Sequence, residues 1–170
     1  MSSSSATLKP QLSSPATGVV ITGGASGLGL ASARALAVVG RPVAIWDINA
    51  AKALAVAAEL SAEHGVAAIG IGLDIADPGA YADAIDRSRR ALGSIGGLVH
   101  AAGIVDIDSL EGVTPDHWDR GINIHLRPVA LLAKALLDDL KQHSGSAIVA
   151  FASINATLGN AVNPIYTAAK

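Results

Sequence analysis

The sequence predicts an α/β protein built on a doubly wound parallel sheet. Three observations carry that expectation. Short runs of β-branched residues alternate with longer segments of helical spacing, a glycine-rich turn separates the first run from the first helix, and the composition suits a sheet covered on both faces. The 170 residues are 51% hydrophobic, 15% charged and only 3% aromatic, so small aliphatic side chains must do the packing. That composition fits strands buried under helices on either side, and the length is enough for one real core.

Taken in order, "GVVIT" (residues 18–22) is the first strand, and "LGLASARALAVVG" (28–40) has helical spacing that stops at Gly40. "PVAIWD" (42–47) is the second strand, "AAKALAVAAELSAEHG" (50–65) the second helix, and "VAAIGIGLD" (66–74) the third strand. Asp77-Pro78 opens a third helix running to about Leu92, since proline suits a first turn. "GGLVHAAG" (96–103) is the fourth strand. Thr114-Pro115 reads as a cap and first helical residue, and the helical region it opens extends to His143 with a break near Pro128. "SAIVAFAS" (146–153) is the fifth strand. Strands alternating with helices of this length imply parallel pairing through right-handed crossovers.

No linker divides residues 18–170, so one domain is expected there, with residues 1–17 a flexible, serine-rich leader. No apolar run reaches the roughly 18 residues of a membrane span, and the start lacks the apolar core of a secretory signal. A net charge of −2 gives no reason to expect nucleic acid or an acidic membrane as partner. The chain has no cysteine, which excludes disulfides, zinc-thiolate sites and thiol catalysis and is compatible with the expected cytoplasmic location.

"TGGASGLG" (22–29) lies between the first strand and first helix, with the spacing T-G-x-x-x-G-x-G. A helix start offers unpaired N–H groups and a positive dipole end, and glycines let a diphosphate approach the backbone. The turn assigns Thr22, Gly23, Ser26, Gly27, Leu28 and Gly29 to a nucleotide, against the plainer reading of a tight strand-to-helix turn. Asp47, with Ile48 beside it, ends the second strand 18 residues beyond Gly29, near the spacing at which an acid meets an adenosine ribose. A carboxylate accepts from both ribose hydroxyls and repels a 2′-phosphate, and no cation closely follows it. NAD is therefore expected over NADP. Asp47 could also cap the helix that follows.

These residues resemble a classical short-chain dehydrogenase/reductase, and the likeness runs from Gly18 to Lys170. The resemblance implies a Rossmann-type fold in which Asp74 and Ile75 contact adenine. It also matches "HAAG" (Ala101, Ala102 and Gly103 after His100) to the family's N-A-G element. Asn123 in "GINIHL", Ser153 in "AFASI", and Tyr166 with Lys170 in "YTAAK" match its four catalytic positions. Tyr166 and Lys170, four apart, share a helix face. A free phenol ionises near pH 10, so phenolate at neutrality needs about 4 kcal/mol from neighbouring cations. Tyr166 would exchange the substrate proton, Ser153 would hold the substrate oxygen, and the resemblance gives Lys170 the nicotinamide ribose and Asn123 a water leading to Lys170.

The implied activity is NAD-dependent interconversion of a secondary alcohol and a ketone. The alternative is a non-catalytic nucleotide-binding or scaffold protein of the same fold. The resemblance further implies a homotetramer, for which "VALLAKALLDDL" (129–140) has a suitable apolar face, and a domain continuing past Lys170, so that residues 1–170 alone should be inactive and poorly folded. The uncharged "SINATLGNAVNPI" (153–165) favours a neutral substrate. The five histidines have no metal-ligand spacing, no metal is expected, and nothing suggests that they converge. His100 should pack beside the cofactor, Trp46 and Trp118 should be core or half-buried, and Asp106 and Asp108 should belong to a solvated loop.

Overall fold

The computed structural model describes residues 16–107 and 109–170. Nearly all of the expected leader, and Asp108, lie outside the described residues. Thr17, the leader's last residue, is buried, and its carbonyl and hydroxyl oxygens accept from Arg41 at 2.8 and 2.9 Å. Packing therefore begins one residue ahead of the expected boundary.

The five strands are β1 (Gly18–Thr22), β2 (Val43–Asp47), β3 (Ala68–Gly72), β4 (Ile95–His100) and β5 (Ala147–Ala150). All pair in parallel, in the order β3-β2-β1-β4-β5. The chain winds outward from β1 to β3, then returns to lay β4 against the other side of β1. Their carboxyl ends thus frame the crevice at which such sheets take ligands.

Alternating side chains divide between two cores. Val19, Ile21, Val43 and Ile45 pack against Ala33, Ala37, Val56 and Leu60 of α1 (Gly27–Val38) and α2 (Ala50–His64). On the other face, Val20, Ala44, Trp46 and Leu98 meet Ala84, Ile85, Leu132 and Leu136. These come from α3 (Tyr81–Leu92), α5 (Arg127–Ala135) and the residue that ends α5. Trp46 is fully buried, and its indole N–H donates to Ser88 Oγ at 3.0 Å. Trp118 departs from expectation: at 44% exposure it belongs to neither core.

Local chemistry sets the boundaries. Asn49, and not Asp47, caps α2 by accepting from Lys52 N at 3.0 Å. The Asp77-Pro78 start forms a single tighter turn, Pro78–Ala80, before α3 begins. The long helical region divides into α4 (Pro115–His125), α5 and α6 (Leu137–Lys141). Pro128 explains the first break, because it has no N–H for the carbonyl of Ile124 and its ring crowds that carbonyl. β5 is shorter than the expected strand. Its four residues are exposed, and among the described residues no strand pairs with its outer edge. Two short helices follow, α7 (Asn155–Leu158) and α8 (Pro164–Ala169).

Candidate active site

A cleft of about 730 Å³ opens over the carboxyl ends of β1, β2 and β4. Its floor is the glycine turn. Gly23 has φ +64°, and a Cβ there would stand 2.8 Å from the Ala102 backbone. A Cβ on Gly29 would stand 2.2 Å from the Gly23 carbonyl oxygen, so the turn closes only around a bare Cα. Gly27, by contrast, has open space above it. No side chain caps α1 and no acid lies in its first turn, which leaves its leading N–H groups and dipole to an anionic ligand. A dinucleotide's diphosphate fits this donor set.

Asp47 holds the turn in place. One carboxylate oxygen accepts from Ala25 N at 3.1 Å and the other from Asn49 N at 3.0 Å, and each keeps a lone pair for a further donor. Of the residues assigned to the nucleotide, Thr22, Gly23, Ser26, Gly27, Leu28, Asp47, Ile48, Asp74, Ile75, Ala101, Ala102 and Gly103 all line the cleft. Gly29 lies beneath it, shaping the turn. Arg120 and Ile124 of α4 also line the cleft, and sequence reasoning missed both. Their helical spacing was legible, but not which face of α4 turns inward.

His100 ties the floor together. Register sets Thr22 opposite His100, so the threonine hydroxyl meets His100 Nδ1 at 2.8 Å while accepting from Ala102 N at 3.3 Å. The other ring nitrogen lies 3.1 Å from the Ile124 carbonyl, the group that Pro128 leaves without a helical donor. These bonds suit a neutral ring with its proton on Nε2. Burial, above all, pushes the His100 pKa down to about 4.

α8 carries Tyr166 and ends at Lys170. Both were also assigned to the cofactor, and neither is among the residues that line the cleft. Lys170 Nζ donates to the Phe151 carbonyl at 2.7 Å and stands 5.5 Å from the centre of the Tyr166 ring. Burial lowers the Lys170 pKa. Ser153, two residues past Phe151, accepts from Asn155 N at 3.2 Å. Asp106 is no solvated loop residue. Its two oxygens accept from Ile165 N at 3.3 Å and Tyr166 N at 2.8 Å, anchoring the first turn of α8.

Asn123 lies on α4. Its amide oxygen accepts from Arg127 at 3.1 Å. The α4 side chain that meets Tyr166 is His125, with ring centres 5.3 Å apart and planes at 86°. His125 is 4% exposed, and its Nε2 lies 2.7 Å from the Ile104 carbonyl and 3.1 Å from the Ile104 nitrogen.

The family model for short chain dehydrogenases matches residues 17–170. The chain belongs to the short-chain dehydrogenase family. Its similar family members include a probable galactose dehydrogenase of Rhizobium meliloti, 35% identical over 153 residues, covering 90% of this chain and 60% of the relative. The D-threitol dehydrogenase of Mycolicibacterium smegmatis is 34% identical over 151 residues, covering 89% and 58%. Among solved structures, L-sorbose reductase from Gluconobacter frateurii, in complex with NADPH and L-sorbose, superposes with a TM-score of 0.83 at 28% identity over 90% of this chain and 58% of that one. The chain thus spans about 60% of the length of the curated relatives it matches.

Proposed function

We propose that residues 18–170 form the cofactor-binding and proton-transfer part of an NAD-dependent oxidoreductase that interconverts a neutral secondary alcohol and a ketone. The observation that carries this reading is the linkage of Tyr166 and Lys170 to the cleft wall. The segment 101–106 lines the cleft through Ala101–Ile104 and anchors α8 through Asp106. Bound nicotinamide would accept hydride from the substrate carbon. Tyr166 takes the hydroxyl proton as the carbonyl forms, and returns it in the reverse direction. Lys170, held by Phe151, presents a cation beside the phenol, and the Ser153 hydroxyl donates to the substrate oxygen. Asn123, by the resemblance, would hold a water leading to Lys170.

NAD is favoured over NADP by Asp47, whose carboxylate faces the cleft beside the uncharged Ile48. The sugar reductase binds NADPH, so the likeness of fold does not exclude NADP and the preference rests on that carboxylate. The named relatives act on sugars and polyols, which agrees with a neutral hydroxylated substrate. A cytoplasmic homotetramer is the proposed form of the whole protein, with the exposed Leu126 and Leu137 available for subunit contact.

The test is titration of the whole protein, extended past Lys170, with NAD and NADP, alongside alcohol oxidation by its Tyr166→Phe variant. Tighter NADP binding overturns the Asp47 argument. Unchanged turnover in Tyr166→Phe removes Tyr166 as the acid/base. Nucleotide binding with no turnover by unaltered protein on any secondary alcohol favours the scaffold reading.

A further inference from the structure

The geometry points to His125 as a positioning residue that fixes the Tyr166 ring against the wall of the cofactor cleft. This rests on the proposed role of Tyr166.

His125 is the last residue of α4, immediately before the break that Pro128 imposes. Its ring has the cleft wall on one side and Tyr166 on another. Toward the wall, Nε2 meets the Ile104 backbone, and a Cβ on Gly103 would stand 2.5 Å from His125 Cε1. Position 103 is therefore kept bare by the imidazole, independently of any ligand. Toward α8, the imidazole and phenol meet at right angles, a favoured aromatic arrangement. One turn earlier, a Cβ on Gly121 would stand 2.3 Å from Ile165 Cγ2, so α4 and α8 are pressed together along this line.

A merely space-filling role would be met at lower cost by an apolar side chain. His125 Nδ1 is buried and has no hydrogen-bond partner among the described residues, an arrangement that costs stability. The shorter Nε2 contact, to the Ile104 carbonyl, puts the proton on Nε2 and leaves Nδ1 a bare lone pair. The net effect of the ring's surroundings is to favour the neutral form. Burial and the Lys170 ammonium from α8 oppose protonation and outweigh Asp106 from the loop, while His100 on β4 is itself neutral. The phenol thus rests against a dipolar, uncharged ring that is locked to the same segment that lines the cleft.

Two readouts test the assignment, one of them independent of turnover. The chain has only two tyrosines, Tyr81 and Tyr166, so ¹³C-labelled tyrosine gives two assignable ring signals. The Tyr166 signal should titrate with a midpoint below the ordinary histidine value of about 6.5, and that titration should vanish in His125→Leu and in His125→Phe. In NAD-linked alcohol oxidation, His125→Leu should lose about tenfold or more in kcat with KM for NAD within about threefold. His125→Phe, which restores an aromatic ring, should recover part of that loss. A Tyr166 titration unaltered in His125→Leu overturns the assignment, as does a kcat within about twofold of the unaltered protein. If the signals respond as stated but unaltered protein oxidises no alcohol, the coupling of His125 to Tyr166 stands and the proposed reaction falls.

Discussion

Acidification should weaken the fold through His100, and the size of the effect follows from its surroundings. The imidazole is 3% exposed and uses both nitrogens with a single proton, donating to the Ile124 carbonyl and accepting from the Thr22 hydroxyl. A second proton would need the Thr22 hydroxyl to turn, giving up its own donation, and would place a charge in the sheet's interior. Burial chiefly, opposed by the Ile124 carbonyl and reinforced by Lys170, holds the ring's pKa at about 4 against an ordinary 6.5. Between those values the unfolded chain binds a proton that the folded chain refuses. The contribution to stability is therefore complete above pH 6.5 and is lost as the pH falls toward 4, by about 3 kcal/mol in all. Urea denaturation across this range should show that loss in unaltered protein. His100→Gln keeps a donor for the Ile124 carbonyl but cannot ionise, so its stability should fall less. His125, also depressed by burial, adds a slope of the same sign to both proteins, which makes the difference between the two curves the decisive quantity. Curves parallel to within about 0.5 kcal/mol would refute the reasoning.

Gly29→Ala forces a Cβ to 2.2 Å from a backbone oxygen, so the glycine turn must open. It should lose about 1–3 kcal/mol of stability, read by thermal unfolding, together with nucleotide binding. Gly27→Ala meets no atom within 4 Å but has φ +51°, so it should cost only about 1 kcal/mol; equal losses in the two variants would contradict the geometry. Asp106→Ala removes the acceptor for the Ile165 and Tyr166 N–H groups, at a cost of about 1 kcal/mol, the usual size for a lost helix cap. Amide exchange at Tyr166 should accelerate; an unchanged rate would mean that Asp106 does not anchor α8.

Periodicity and punctuation made the element order, the parallel sheet and the glycine turn legible, because each follows from residues close together in the chain. Asp47 at the end of β2 and the Tyr166–Lys170 pair were legible for the same reason. What the sequence left open was rotation and long-range contact. Asn123 and His125 are two residues apart on one helix, so their side chains leave it about 200° apart. Nothing in the helical period says which of them faces α8. That was decided by the close fit of Gly121 against Ile165 and by the Pro128 break, both of which involve the packed neighbours of α4. Asp106 looked like a solvated acid because the N–H groups it accepts lie about 60 residues further along the chain. His100 likewise takes its two partners from β1 and from a carbonyl on α4 that Pro128 of α5 leaves free. The sequence by itself determined where a nucleotide and a phenol could stand. Only the tertiary structure decided which side chains hold them there, because those contacts depend on the phase of packed helices and the register of neighbouring strands.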